Sequence, residues 1–130
     1  IYEWDGNSYS LRHALDFLDY IPGTGFWIEN SETVSIDFAS LETPPTDSVS
    51  IRLSIGWNLV GCPVNKNFDI FDLRVVTDTN TYDFYDAVDA GILEGFWEYD
   101  GDYILSLEIK PWVGYWIKAH EECELVFSLQ

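Results

Sequence analysis

Apolar and polar residues alternate in short bursts along most of this chain, with the period of two that belongs to strands. Val34, Ile36 and Phe38 fall on one face of such a run, with Ser35 and Asp37 on the other. Comparable runs at 1–4, 25–29, 51–55, 57–60, 92–99, 103–107, 113–119 and 123–129 predict strands. Turn signals separate them: Asp5-Gly6-Asn7, Asn30-Ser31, Gly56, Gly61-Cys62-Pro63 and Asp100-Gly101. Residues 68–73 read as a turn or short helical element, and 74–76 as a brief strand. Helical spacing occurs twice. Ser10 is placed to cap a helix over 11–19, where Leu11, Leu15 and Leu18 recur and Pro22-Gly23 stops the run. Thr81 is placed to cap a second helix over 82–90, with a thin stripe of Tyr82, Tyr85 and Val88 and Gly91 as terminator. The pattern predicts about ten short strands and two short helices. The expected fold is mainly β: antiparallel hairpins in a sandwich or partly open barrel.

The same pattern is used twice. Ile1-Tyr2-Glu3-Trp4-Asp5-Gly6 returns as Phe96-Trp97-Glu98-Tyr99-Asp100-Gly101, and Gly25-Phe26-Trp27-Ile28 returns as Gly114-Tyr115-Trp116-Ile117. Glu32, Ile36 and Phe38 continue the match to Glu121, Leu125 and Phe127, so the spacing stays at 89 positions from Gly25–Gly114 onward. Internal self-similarity of this kind marks one β-rich unit used in two copies. Residues 1–40 form a partial first unit and 51–130 a complete second one. The stretch 41–50, stiffened by Thr43-Pro44-Pro45-Thr46-Asp47, reads as a linker. The two units are able to merge into one globular domain. Between the Asp-Gly turn and the following proline the first copy is longer by six residues, a difference that falls in the helix-like segment at 11–19.

Ile55-Gly56-Trp57-Asn58-Leu59-Val60-Gly61, then 96–101, then Lys110-Pro111-Trp112-Val113-Gly114-Tyr115-Trp116-Ile117 form an ordered set. It resembles a β-repeat of exported and cell-surface proteins of bacteria and archaea: a Gly-Trp-Asn-Leu strand, an aromatic-Asp-Gly hairpin and a closing Gly-Tyr-Trp-Ile strand. The resemblance implies a structural or adhesive module without enzymatic chemistry, carried beside Ig-like domains, dockerins or surface-anchoring tails. Residues 51–130 carry all three motifs; residues 1–38 carry only the last two. The first copy therefore lacks a strand. The strand was cut away, or another part of this chain replaces it, or a neighbouring molecule supplies it. Completion within the chain is the preferred reading.

Charge narrows the partners. Asp and Glu outnumber Lys and Arg by 23 to 6, a formal charge of −17. Such a surface repels phosphate backbones, which excludes nucleic acid, and disfavours anionic lipid. It suits plain solubility, a salty medium or bound cations. No run approaches the ~20 apolar residues of a membrane span, so membrane insertion is not expected. Six Trp, eight Tyr and eight Phe within a 47% hydrophobic chain supply ample core. The chain opens at Ile1, which fits a processed or excised piece of an exported protein. Its location is accordingly read as extracellular or cell surface. Cys62 and Cys123 allow one disulfide in an oxidising compartment; two buried thiols are the plainer alternative.

Candidate chemistry is sparse. Trp27 and Trp116 lie between apolar positions, with Phe26 and Tyr115 on the opposite sheet face. Core packing and cross-strand pairing account for most such aromatics, and Trp57 in its tight Gly-Trp-Asn-Leu setting is expected in the core. Trp4, Trp97, Trp112 and Tyr115 are the candidates for contact with a partner or for stacking on a sugar. Asp78-Thr79-Asn80-Thr81-Tyr82-Asp83 offers alternating oxygens for Ca²⁺, but lacks the Gly and the twelfth-position Glu of a calcium loop. A turn leading into a helix cap explains it better. His13 and His120 show no triad or zinc spacing. The expectation is a non-enzymatic structural, assembly or adhesion module, with other surface-protein domains or its own copies as partners through sheet edges. Carbohydrate binding, with a polysaccharide as ligand, is the first alternative and a hydrolase the second.

Overall fold

The computed structural model describes residues 2–11, 23, 25–27 and 47–129. The expected helix beyond Leu11, the hairpin arms beyond Trp27 and residues 41–46 of the linker lie outside the described residues. In chain order the strands are β1 (Tyr2–Trp4), β2 (Tyr9–Leu11), β3 (Phe26–Trp27), β4 (Ser48–Leu53), β5 (Gly56–Gly61), β6 (Phe68–Asp69) and β7 (Arg74–Val76). There follow β8 (Thr81–Asp83), the helix α1 (Phe84–Asp89), β9 (Phe96–Tyr99), β10 (Tyr103–Ser106), β11 (Glu108–Ile109), β12 (Gly114–Ala119) and β13 (Cys123–Ser128).

The architecture is mainly β and sandwich-like. Every strand pairing among the described residues is antiparallel. One four-stranded sheet has the order β10-β9-β12-β5 and a second β4-β13-β7-β8, with a β11-β6 ribbon and a hairpin sheet β2-β1-β3. Among the described residues no sheet closes into a barrel. Alternation sends Tyr115, Ile117 and Ala119 of β12 inward, and Cys123, Leu125 and Phe127 of β13 inward from the other side. Val60, Phe96, Ile51, Leu53 and Val75 complete the two faces. Phe84 stacks on Phe96 with centroids 5.2 Å apart, and Phe68 meets Phe127 edge-on at 5.1 Å, so α1 and the ribbon close the core.

The repeat motifs owe their shape to turns. Gly56, at φ +105°, makes the bend between β4 and β5, a conformation that costs glycine little. Asn58 then fastens that bend. Its Oδ1 accepts from Ser54 N–H at 3.1 Å, and its Nδ2 donates to the carbonyls of Ser54 and Gly56 at 2.9 and 3.1 Å. Asp5 does similar work in the first hairpin, its carboxylate accepting from the N–H groups of Asn7 and Ser8 at 2.9 Å each.

Four local expectations are corrected. Ser10 does not cap a helix; it lies in β2 opposite Glu3, with Leu11 opposite Tyr2, because pairing with β1 takes up the backbone groups a helix would need. β4 already starts at Ser48, inside the expected linker, since Ser48–Ser50 pair with Val126–Ser128. Thr81 belongs to β8, and Asp83 is the helix cap, its Oδ1 accepting from Asp86 N–H at 2.8 Å. The later start rotates the buried face onto Phe84 and Ala87 and leaves Tyr85 67% exposed. Trp57 is exposed, not core: alternation along β5 turns Val60 inward and Trp57 outward, opposite Lys118, whose Nζ lies 5.8 Å from the ring centroid.

Candidate functional site

The two sequence copies adopt the same register. In the first, Tyr2 pairs with Trp27 and Glu3 with Phe26; in the second, Trp97 pairs with Trp116 and Glu98 with Tyr115. These are the residues that the sequence match aligns. The hairpins agree as well: Trp4 faces Tyr9 in one, and Tyr99 faces Tyr103 in the other, around Asp-Gly turns. Both ring pairs have centroids 5.1 Å apart.

The copies also face one another. Trp4 of the first copy meets Trp116 of the second edge-on at 5.5 Å, and Trp27 of the first meets Tyr99 of the second at 5.9 Å. Since Trp4 corresponds to Tyr99 and Trp27 to Trp116, the two contacts are the same contact made twice with the partners exchanged. That is the signature of an approximate two-fold relation. Tyr9 adds a third edge contact to Trp116 at 6.4 Å. Sheet alternation puts Trp116 on the face opposite buried Tyr115, so the hairpin sheet covers the outer face of the β10-β9-β12-β5 sheet.

Backbone and indole hydrogen bonds join the layers at β5. Gly25 N–H donates to Leu59 O at 3.0 Å and Gly61 N–H to Gly23 O at 2.7 Å, an antiparallel bridge on the side of β5 away from β12. Trp4 Nε1 donates to Trp57 O at 2.9 Å. The approach requires glycine. A Cβ on Gly25 would lie 2.7 Å from Leu59 Cγ and 3.0 Å from backbone atoms, and one on Gly23 would collide with Ile51. Trp27 and Trp116, the corresponding pair, each bury an indole Nε1 with no hydrogen-bond partner among the described residues.

Of the four candidate contact residues, the structure brings Trp4 and Trp97 to the flanks of Trp116, both half-buried. Trp112 is 76% exposed in the turn before β12, at φ +66°. Tyr115 is a correction. It is fully buried on the core face, where its hydroxyl accepts from Lys110 N–H at 2.9 Å, so it meets no external partner. Burial pushes its pKa up. Both thiols are free, the plainer of the two alternatives left open for Cys62 and Cys123. The single S–H of Cys62 is shared between the carbonyls of Val64 and Lys66, 3.1 and 3.2 Å from its Sγ, while Cys123 packs inward at the start of β13 opposite Leu53.

No protein-family model, curated protein or solved structure matches the chain.

Polar clusters elsewhere are modest. His120 Nε2 lies 2.9 Å from Glu94 Oε2, with both side chains about half exposed; His13 lies outside the described residues. Arg52, paired with Glu122 at 3.3 Å, lines a groove of about 150 Å³ with Asp78, Thr77, Cys123 and Glu124. Asp78–Asp83 is a turn and helix cap, in which Thr77 Oγ1 accepts from Asn80 N–H at 3.1 Å. Among the described residues no three His, Cys, Asp or Glu side chains gather to hold a metal. Sequence reasoning singled out Trp4 but missed its partners Tyr9 and Trp116, and the matching Trp27–Tyr99 pair, as one set. The aligned copies carried the signal, since each position has a counterpart, but the crosswise pairing exists only in three dimensions.

Proposed function

We propose that the chain is a non-enzymatic structural and adhesion module of an exported or cell-surface protein, of the Gly-Trp-Asn-Leu … Gly-Tyr-Trp-Ile repeat type. Its residues 1–40 and 48–130 are two units that share β5. The observation that supports this most directly is the reciprocal aromatic contact between the copies. Repeat units that dock face to face make a rigid spacer, and the motif residues are spent on turns and packing: Gly56 and Asn58 shape a bend, and Tyr115 fastens the turn before β12. The acidic surface keeps such a spacer soluble, and its open sheet edges supply contacts to neighbouring domains.

Carbohydrate binding is the second reading, favoured by Tyr99 and Tyr103. Both rings are more than half exposed, 5.1 Å apart, beside the Asp100-Gly101 turn. One experiment separates the readings: titration with a polysaccharide panel under Trp fluorescence, alongside turnover assays on glycans and esters. The module reading expects neither a fluorescence change nor turnover. A saturable shift of the indole emission selects the carbohydrate reading, and turnover overturns both.

A further inference from the structure

The outer edge of β10 is a docking site for an extended segment of another protein that alternates apolar with basic residues; we infer this from three features of one hairpin. The first is an open ladder. β10 ends its sheet, paired only with β9 among the described residues. Asp100 N–H donates to Asp102 O at 2.9 Å, so the hydrogen-bonded pairs of this hairpin continue through Glu98–Ile104 and Phe96–Ser106. The backbone groups of Tyr103, Leu105 and Leu107 consequently point away from β9. Tyr103 N–H is held by Asp102 Oδ1 at 2.9 Å, and Leu107 O accepts from Ile70 N–H at 3.1 Å. Leu105 keeps both its N–H and its carbonyl turned outward at the strand's centre.

The second feature is apolar surface on both faces of that edge. Tyr103, Ile104, Leu105 and Leu107 are each about half exposed or more, Leu105 at 51% and Leu107 at 61%. Edge strands in soluble proteins are ordinarily blunted by lysine, proline or a bulge, and none of the three interrupts Tyr103–Ser106. Apolar side chains flanking an open ladder are what strand addition uses, main-chain bonds for affinity and alternate side chains for specificity.

The third is charge, which chooses the occupant. From 75 to 109 the sequence contains no Lys or Arg, and Glu98, Asp100, Asp102 and Glu108 surround the strand. A second copy paired antiparallel about Leu105 would set Asp102 against Glu108 at both ends, between chains that each carry −17. A segment with lysines or arginines at alternate positions meets those carboxylates with opposite charge while its apolar residues cover Leu105 and Leu107.

The inference rests on the module reading and adds the chemistry of its partner. It is tested on the whole chain with three capped, fluorescein-labelled peptides: alternating Lys and Val, the same with Glu for Lys, and the Lys peptide with Pro for the central Val. The Lys-Val peptide is expected to bind, to weaken at least about tenfold at high salt, and to slow exchange of the Leu105 amide. Leu105→Pro, which removes the outward N–H, and Asp102→Lys with Glu108→Lys, which leaves the outward N–H and carbonyl of Leu105 in place, should each reduce that binding about tenfold or more. Equal binding of the Pro peptide means charge alone; binding of the Glu peptide, insensitivity to both variants, or dimerisation that Leu105→Pro abolishes equally overturns the proposal. Failure here with no turnover on glycans or esters leaves the module reading standing, whereas turnover removes the module reading itself.

Discussion

Cys123 shows how a single buried side chain writes a pH dependence into the fold. It sits on the core side of β13, and burial, followed by the nearby carboxylate of Glu121 and opposed by Arg52, pushes its thiol from 9.0 up to about 11. The folded chain therefore keeps the proton longer than the unfolded chain does. Its contribution to stability is intact below pH 9.0 and is lost as pH rises toward about 11. Tyr115, also pushed up by burial, acts in the same direction at higher pH. Urea midpoints measured through this range should fall for the natural chain and fall less for Cys123→Ala, whose baseline stability is lower by about 1 kcal/mol for the lost sulfur. Parallel curves for the two proteins would refute the assignment. Asp5 behaves oppositely: the N–H groups of Ser8 and then Asn7 hold its carboxyl below the usual value, so its contribution is present above 3.8 and fades as pH drops further.

At the scale of the elements, the interlock of the two hairpins makes a quantitative demand. Trp4–Trp116 and Trp27–Tyr99 are corresponding edge-on contacts, and aromatic pairs of this geometry couple by about 0.5–1.5 kcal/mol beyond their buried area. Double-mutant cycles to Leu at each pair should return couplings of the same sign and within a factor of about two to three of each other. Trp4→Leu alone should cost more than Trp27→Leu, because it also removes the bond to Trp57 O. A coupling near zero in one cycle and not the other would break the two-fold relation.

For the molecule as a whole, charge is the dominant long-range term. A formal −17 on 130 residues destabilises the compact state by self-repulsion, and the exposed pairs of Arg52 with Glu122 and Glu124 offset little of it. Monovalent salt shortens the reach of that repulsion to about 10 Å at 0.1 M. The Tm is expected to rise as salt is added, by several degrees before it levels, and a Tm that falls with salt would show attraction outweighing repulsion. The same repulsion acts against pairing between further copies at the β10 edge.

Alternation along the chain determined, by itself, the mainly β character, the positions of β12 and β13, the Asp-Gly hairpins and the correspondence of the copies. These are local properties: a period of two and a turn residue are legible wherever neighbours in sequence are neighbours in space. The start of α1 was misplaced for the opposite reason, since β8 claims Thr81 through pairing with β7. The outward turn of Trp57 and the inward turn of Tyr115 depend on which sheet face meets the core, and alternation cannot say which face that is. The separation of Cys62 from Cys123, the bridge from Gly23 and Gly25 to β5, and the crosswise aromatic pairs were decided by tertiary structure alone. They join residues distant in the chain, whose encounter depends on how whole sheets pack and not on any pattern within one of them.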